Sequence, residues 1–542
     1  MAAATKVLFL EIDAGDKFVI QKGATEGWLP NFGSLLERGL VGDTLAPEEF
    51  FVGGIWPSLY TGVDPARHGI HSLFQLKTGT YDFYRCPTGE HIKRKPFWSF
   101  LSEAGKRVAI LDIPLSGITE DINGIQSVEW GSHDEIYGFR AWPKSFEEDL
   151  LSRFGRHPLS TSCNNHGNRP EDFLTLRDKL IQGVKVKSEL TRHYLRQGGW
   201  DFFAQVFTES HCIGHQCWHL HDSEHPGYDP TTAALTGDPL KEVYRSIDTA
   251  LGEVIHEAGD EAMVIVLAGH RMAHKCGAQF LLPAILVNLG VATRRQVPFK
   301  SKVLQHVDRV LTWWWQQVPA AVRGRLNGIR RRLRNAIDDA VNTPSLPPHL
   351  RALDLRNSKC FLTDNGFPIS GLRLNVVGRE PAGLIHRGAE MDRFCDELSE
   401  DLLDLCYSDT GEPAVKCIKR TAEHYQGEYL DDLPDLVVEW TDARPLGSST
   451  CGNPARSLVR IQSKKIGIVE GVNSYIRTGD HRPQGLFVAV GRNVRAGKLN
   501  RTISIMDLAP TFCALLGTEL PDCQGTPIGE LLANAPIRAL GA

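Results

Sequence analysis

The sequence of 542 residues predicts an α/β protein built on a doubly wound, mostly parallel sheet. Three observations predict it. Short apolar runs at residues 7–12 (VLFLEI), 107–113 (RVAILDI), 202–207 (FFAQVF) and 262–267 (AMVIVL) have the length and character of strands buried on both faces. Longer segments with helical spacing lie between them, as parallel strands require. Three of the runs deliver acids or histidines just past their carboxyl ends, where open α/β sheets place their sites.

Composition agrees. With 42% hydrophobic and 23% charged residues, a sizeable core is expected, in two or three domains or one large domain with insertions. A net charge of −5 gives no reason to expect nucleic acid or a membrane as partner. No apolar run reaches the ~20 residues of a membrane span. The start, MAAATK, runs straight into VLFLEID with no secretory signal. Twelve cysteines form neither a CxxC pair nor a disulfide framework, so reduced thiols in a cytoplasm are expected.

Taken in order, the first strand ends at Asp13, followed by Gly15 and Asp16. A helix is expected over 28–40, then a Gly- and Pro-rich stretch with a helix over 57–61. Residues 107–113 form a strand and 170–197 a long helix. Residues 200–222, WDFFAQVFTESHCIGHQCWHLHD, then pass from a strand into Glu209, His211 and His215. A spacing of four puts both imidazoles on one face of a helical turn, able to share a metal ion. The bland alternative is a histidine-rich loop; His219, His221 and His225 are read as rim or solvent-facing residues. A helix follows over 241–258, then a strand that delivers His270 and His274. Composition shifts near residue 293, with Trp313, Trp314 and Trp315 and a basic run over 323–334 (RGRLNGIRRRLR), read as inserted helices. Beyond it, strands are expected over 371–379, 435–440 and 485–490 and helices over 391–406 and 505–516, with His481 in a Gly-rich loop. The expected organisation is a core over 1–290, a helical insertion or cap over 291–355 and a second part of the core over 356–542.

Several motifs carry a resemblance. VLFLEIDAGD, WPSLYTGVDPARHGI, TESHCIGH, VLAGHRMAH, RTGDHRPQGLF and SIMDLAPTFCALLG occur in that order. Together they resemble the alkaline phosphatase superfamily, and within it the type I phosphodiesterase and nucleotide pyrophosphatase branch. RLNVVGREPAG, DTGEPAV and DLPDLVVEW resemble bacterial members of the branch. The resemblance spans nearly the whole chain and implies the alkaline phosphatase type of sheet. It also implies a site with two ions, usually zinc, that cleaves phosphate esters through a Thr or Ser nucleophile. Position by position, the first-strand ligand falls on Asp13, the D-x-x-x-H element on His211 and His215, the Asp-His pair on Gly269 and His270, and the late histidine on His481. The nucleophile, nine residues before Thr61, falls on Val52.

The departures define the chemistry to expect. Val52 has no hydroxyl, and Thr44 and Ser58 would need a different loop path. Gly269 and His211 stand where carboxylates are implied. His211, His215 and His481 would make a three-histidine site suited to zinc, iron or copper with an open position for water. Asp13 and His270 are left as ligands for a second ion, completed by Asp16 or His274 if at all. Glu209 is a candidate base or orienting residue, His274 a further candidate catalytic residue, and His68 structural. The expected function is a metal-dependent hydrolase in which metal-bound water attacks a phosphate or sulfate ester. Its substrate is a small anion, held by Arg271, Lys275 or the basic insertion. A redox or other non-hydrolytic metalloenzyme on the same fold is the alternative, and a non-catalytic binding descendant the third reading. Oligomeric state stays open.

Overall fold

The chain is seen in a computed structural model that describes residues 6–85, 91–131, 138–159, 162–165, 167–296, 314, 318, 348–366, 368–451 and 456–532. The basic run over 323–334, Trp313 and Trp315 lie outside the described residues.

The apolar runs become the middle of a large sheet. Its order is Gly497–Lys498, Leu40–Leu45, Gln484–Val490, Met263–Ala268, Val7–Ile12, Phe202–Phe207, Val108–Leu111, Gly124–Val128 and Arg140–Trp142, with Ile503–Ser504 also pairing with Leu40–Leu45. The five strands from Met263–Ala268 to Gly124–Val128 are parallel to their neighbours. Gln484–Val490 and the edge strand Arg140–Trp142 run antiparallel. This is the mostly parallel, doubly wound α/β fold that the sequence predicts.

Side chains alternate across the sheet. Leu8, Leu10 and Ile12 enter the cluster packed under the helices Pro170–Arg196, Glu209–His221 and Pro239–Ala258. Val7 and Phe9 of the same strand enter the opposite cluster, with the helices Ile55–Thr61, Phe97–Glu103 and Leu508–Leu515. Phe9 there meets the rings of Phe202 and Phe512. Such complete burial contributes about 1.5–3 kcal/mol per large apolar side chain.

The segment after the expected insertion does not rejoin the large sheet at residue 356. Cys360–Thr363, Ile369–Leu374, Leu436–Trp440 and Val415–Arg420 form a separate antiparallel sheet. Cys406–Tyr407, Leu458–Ser463 and Gly467–Val472 form another. A third hydrophobic cluster, which includes Cys395, Leu398 and Leu402 of the helix Ala389–Leu403 and draws in Leu76 and Phe83, belongs to this lobe. The chain re-enters the large sheet at Gln484. The boundary at 356 is displaced because Cys360–Thr363, Ile369–Leu374 and Leu436–Trp440 are buried strands that read like those of the core.

Candidate metal centre

Three central strands end side by side. Ile12 pairs with Phe207, and Glu11 with Leu267. Asp13, the helix Glu209–His221 and the Gly269–His270 pair therefore leave the sheet at one edge. His481 arrives from elsewhere: Arg271–His274 and Gly479–Arg482 form a two-stranded antiparallel pair in which Met272 faces His481. Two glycines let this hairpin press on the helix. A Cβ on Gly479 would lie 2.1 Å from the Gly214 carbonyl oxygen, and one on Gly214 would lie 2.7 Å from Met272 Cγ.

The result is a compact group of imidazoles. His211, His215 and His481 each offer a ring nitrogen, and these atoms lie within 4.8 Å of one another. His211 Nε2 and His215 Nε2 are 2.9 Å apart. The His270 ring lies beside His481, with centroids 4.8 Å apart. His215 is fully buried, and only 13% of the His211 side chain is exposed.

Hydrogen bonds set which nitrogens face inward. The Gly479 carbonyl can only accept, so His215 Nδ1 carries the proton of their 2.9 Å bond. Arg477 Nη1 donates to His215 Nε2 at 3.2 Å, which requires a lone pair there. Asp13 Oδ2 lies 2.6 Å from His211 Nδ1, and an ionised carboxylate there accepts the Nδ1 proton and turns Nε2 inward. Lone pairs of two imidazoles thus lie close together, and a cation bound there would take the His215 lone pair that Arg477 holds. Burial pushes the His270 imidazole down to about 4, against the raising effect of Asp13, so the ring is neutral at pH 7.

Other expected residues are placed differently. Glu209 is no general base for this group. Its carboxylate is turned to His157 Nε2 at 3.0 Å and Lys187 Nζ at 3.2 Å. Lys187, fully buried, also meets Asp112 at 3.7 Å and donates to Thr208 Oγ1 and the Val206 carbonyl. Burial raises the Glu209 carboxyl, but the Lys187 charge and the His157 hydrogen bond outweigh it and leave it below its ordinary value. The reason is helical geometry: two residues turn about 200° round a helix, so positions 209 and 211 face opposite ways.

His274 is also held outside the group, its Nε2 donating to the Asp442 carbonyl at 2.7 Å. Asp16 caps the helix Lys17–Thr25 through Val19 N and pairs with Arg271 at 3.3 Å, so neither it nor His274 completes a second ligand set. Arg271 is thereby engaged. Lys275 is buried against Asp480 at 3.1 Å and lies over the Tyr475 ring. His68 is structural as expected: it is buried, bonds Ser58 Oγ at 3.0 Å and accepts from Ile70 N. His219 bonds Thr478 and His221 bonds Asp238, both away from the ligand group.

Val52 is turned elsewhere. A Cβ on Gly366 would lie 2.8–3.0 Å from the Val52 side chain, which therefore packs on the second lobe. Ser58 is bound to His68, and the Thr44 hydroxyl donates to the Gly269 carbonyl at 3.3 Å. Sequence reading missed Arg477, which lies beside His215 and donates from Nε to Asn164 Oδ1 at 3.0 Å. Its one sequence signal is a place four residues before His481 on the same loop.

A family model described as type I phosphodiesterase / nucleotide pyrophosphatase matches residues 7–346. No curated protein matches the chain. Among solved structures, an inactive murine ectonucleotide pyrophosphatase / phosphodiesterase 5 in complex with AMP is similar at 11% identity, over 98% of this chain and 99% of that one, with a TM-score of 0.46. Phosphonoacetate hydrolase from Sinorhizobium meliloti in complex with phosphonoformate is similar at 12% identity, over 95% and 96%, with a TM-score of 0.47. Wild-type alkaline phosphatase PafA is similar at 12% identity, over 98% and 99%, with a TM-score of 0.49.

Proposed function

The chain belongs to the type I phosphodiesterase / nucleotide pyrophosphatase family, and from that premise we propose that it is a metal-dependent hydrolase of phosphate esters that uses water as its nucleophile. The observation that carries this reading is the convergence of His211, His215 and His481 at the sheet edge while Val52 packs on Gly366. The donor set fits a borderline cation such as zinc: three imidazoles, two of them fixed by outer hydrogen bonds with Nε2 inward. A divalent ion held there would act as a Lewis acid on the ester oxygen and lower the pKa of a water.

The protein's own residues do the rest. Asp13 and the Gly479 carbonyl hold the two rings of the helix in one tautomer. Arg477 has its guanidinium beside the His215 nitrogen, in the place to hold the charge of a small anionic ester. Substitution Arg477→Ala is expected to raise KM at least tenfold with a smaller change in kcat, measured by initial rates on an aryl phosphodiester. Net charge and the free thiols of the described cysteines support a cytoplasmic enzyme with neither nucleic acid nor a membrane as partner. Among the described residues, no helix is long and apolar enough to cross a membrane.

The test is a rapid-quench assay of the zinc-loaded protein with a phosphodiester labelled in its phosphoryl group. Turnover with no label on the acid-quenched protein is expected. A phosphorylated Ser or Thr would overturn the water reading, and absence of turnover on phosphate and sulfate esters would overturn hydrolysis. A ligand set of imidazoles alone also suits iron or copper. Iron or copper in the purified protein, with no esterase activity, would favour the non-hydrolytic reading.

A further inference from the structure

The family resemblance implies two ions, and the residues here do not fit the second. That position would draw on Asp13, a side-chain oxygen at 52, a carboxylate at 269 and His270. Val52 has no oxygen and packs on Gly366. Gly269 has no side chain, and the space is taken: a Cβ there would lie 3.0 Å from Ile505 Cδ1 and 3.1 Å from Glu11 Oε1.

Glu11 invites the thought of a relocated ligand. It is fully buried, two residues before Asp13 on the same strand, with the Gly269 backbone beside its carboxyl. It does not converge with the others, however. The group of possible ligands among the described residues is His211, His215 and His481, whose ligand atoms lie within 4.8 Å of one another, and Glu11 is not in it. Its carboxyl instead fills the space beneath Gly269, where a Cβ would meet Glu11 Oε1 at 3.1 Å.

Asp13 has a different partner. Its Oδ2 is 2.6 Å from His211 Nδ1, while its Oδ1 is 3.9 Å from His270 Nε2. A carboxylate on the far nitrogen of a ligating imidazole is the standard outer support of a metal-bound histidine. The imidazole at 211 replaces a short carboxylate with a longer side chain that reaches between Asp13 and the ion's position. One substitution therefore keeps a ligand at the first position and draws Asp13 away from the second.

We propose that this protein binds a single metal ion through His211, His215 and His481, with Asp13 outside the ligand set as the positioning residue for His211. The proposal rests on the functional reading above only in taking the histidine group to hold a metal. It sets this chain apart from a two-ion clamp, in which separate ions face the attacking and leaving oxygens.

The test is zinc stoichiometry. Metal-free full-length protein is titrated with zinc alone and then assayed by elemental analysis after gel filtration. Wild type, Asp13→Asn, Glu11→Gln, His270→Ala and His481→Ala are compared, with circular dichroism to establish that each is folded. The expected result is one zinc per chain in wild type, in Glu11→Gln and in His270→Ala. Asp13→Asn should also bind one, with affinity weakened about 10–100-fold, the usual effect of losing an outer partner. His481→Ala should retain none after filtration. Cobalt(II) titration should reach its visible-absorption endpoint at one equivalent. Two zinc ions in wild type, with one lost in Asp13→Asn, His270→Ala or Glu11→Gln, would overturn the single-ion proposal and leave the hydrolase reading standing. No zinc in folded wild type would overturn both.

Discussion

Two polar clusters lie on opposite sides of the first turn of the helix Glu209–His221, and they are built on opposite logic. On one side Lys187, Glu209, Asp112 and His157 satisfy one another: a buried ammonium faces two carboxylates, backbone carbonyls and a threonine hydroxyl. On the other side His211, His215 and His481 turn ring nitrogens toward one another. The first cluster is closed by its own ion pairs and hydrogen bonds. The second brings ring nitrogens of three imidazoles to one place, as a ligand set would. Both clusters are rich in ionisable groups, so density of such groups does not by itself mark a site. The marker is lone pairs held by outer hydrogen bonds to face a common point.

That contrast can be broken from either side. The largest expected effect is on activity: His215→Ala should reduce zinc-dependent phosphodiester hydrolysis to background, while the metal-free protein loses only about 1–3 kcal/mol for the unpaired Gly479 carbonyl and stays folded. Calorimetry beside initial-rate assays checks both halves. Next in size is Lys187→Met, which strands two buried carboxylates and is expected to destabilise the fold by about 3–5 kcal/mol in urea denaturation. Smaller again is Glu209→Gln. It removes one charge but keeps shape, so a loss of about 1–3 kcal/mol is expected with the pH–rate profile unmoved. A shifted profile would restore Glu209 to the chemistry.

The smallest effect concerns acid. Burial, and then the charge of Arg373, push the His71 imidazole down to about 3, and neither ring nitrogen has a hydrogen-bond partner among the described residues. The unfolded chain takes up that proton near pH 6.5 and the folded chain only near 3, so stability falls as pH falls through this window. The slope is about 1.4 kcal/mol per pH unit for one such group. In the metal-free protein, His71→Met should narrow the drop in melting temperature between pH 7 and pH 5. An unchanged drop would assign the acid sensitivity to other buried groups, such as His68.

Much of this was legible in the sequence, for physical reasons. Parallel strands buried on both faces have to be apolar throughout, so Val7–Ile12, Phe202–Phe207 and Met263–Ala268 announce themselves. Helical spacing of four announces His211 and His215. What was not legible depends on contacts between distant segments. Lys187 meets Glu209 and Asp112 only because the long helix Pro170–Arg196 packs on the sheet. Arg477 reaches His215 only because the Gly479–Arg482 strand pairs with Arg271–His274. Glu209 was misread as a base because proximity in sequence ignores the turn of the helix. The strand expected over 371–379 runs instead over Ile369–Leu374, since the GREP segment beyond it holds Arg379 and Glu380 in ion pairs rather than in the ladder.

The pairing of Met272 with His481 has a consequence for biosynthesis. Asp13, His211, His215 and His270 leave the ribosome well before His481, and the whole second lobe is made in between. A nascent chain therefore carries His211 and His215, with Asp13 behind His211, before the third proposed ligand, His481, has been made. On the single-ion proposal, tight capture would wait for the returning hairpin to dock on Gly214. A chain stalled before residue 481 would lack its third ligand and would hold an ion poorly.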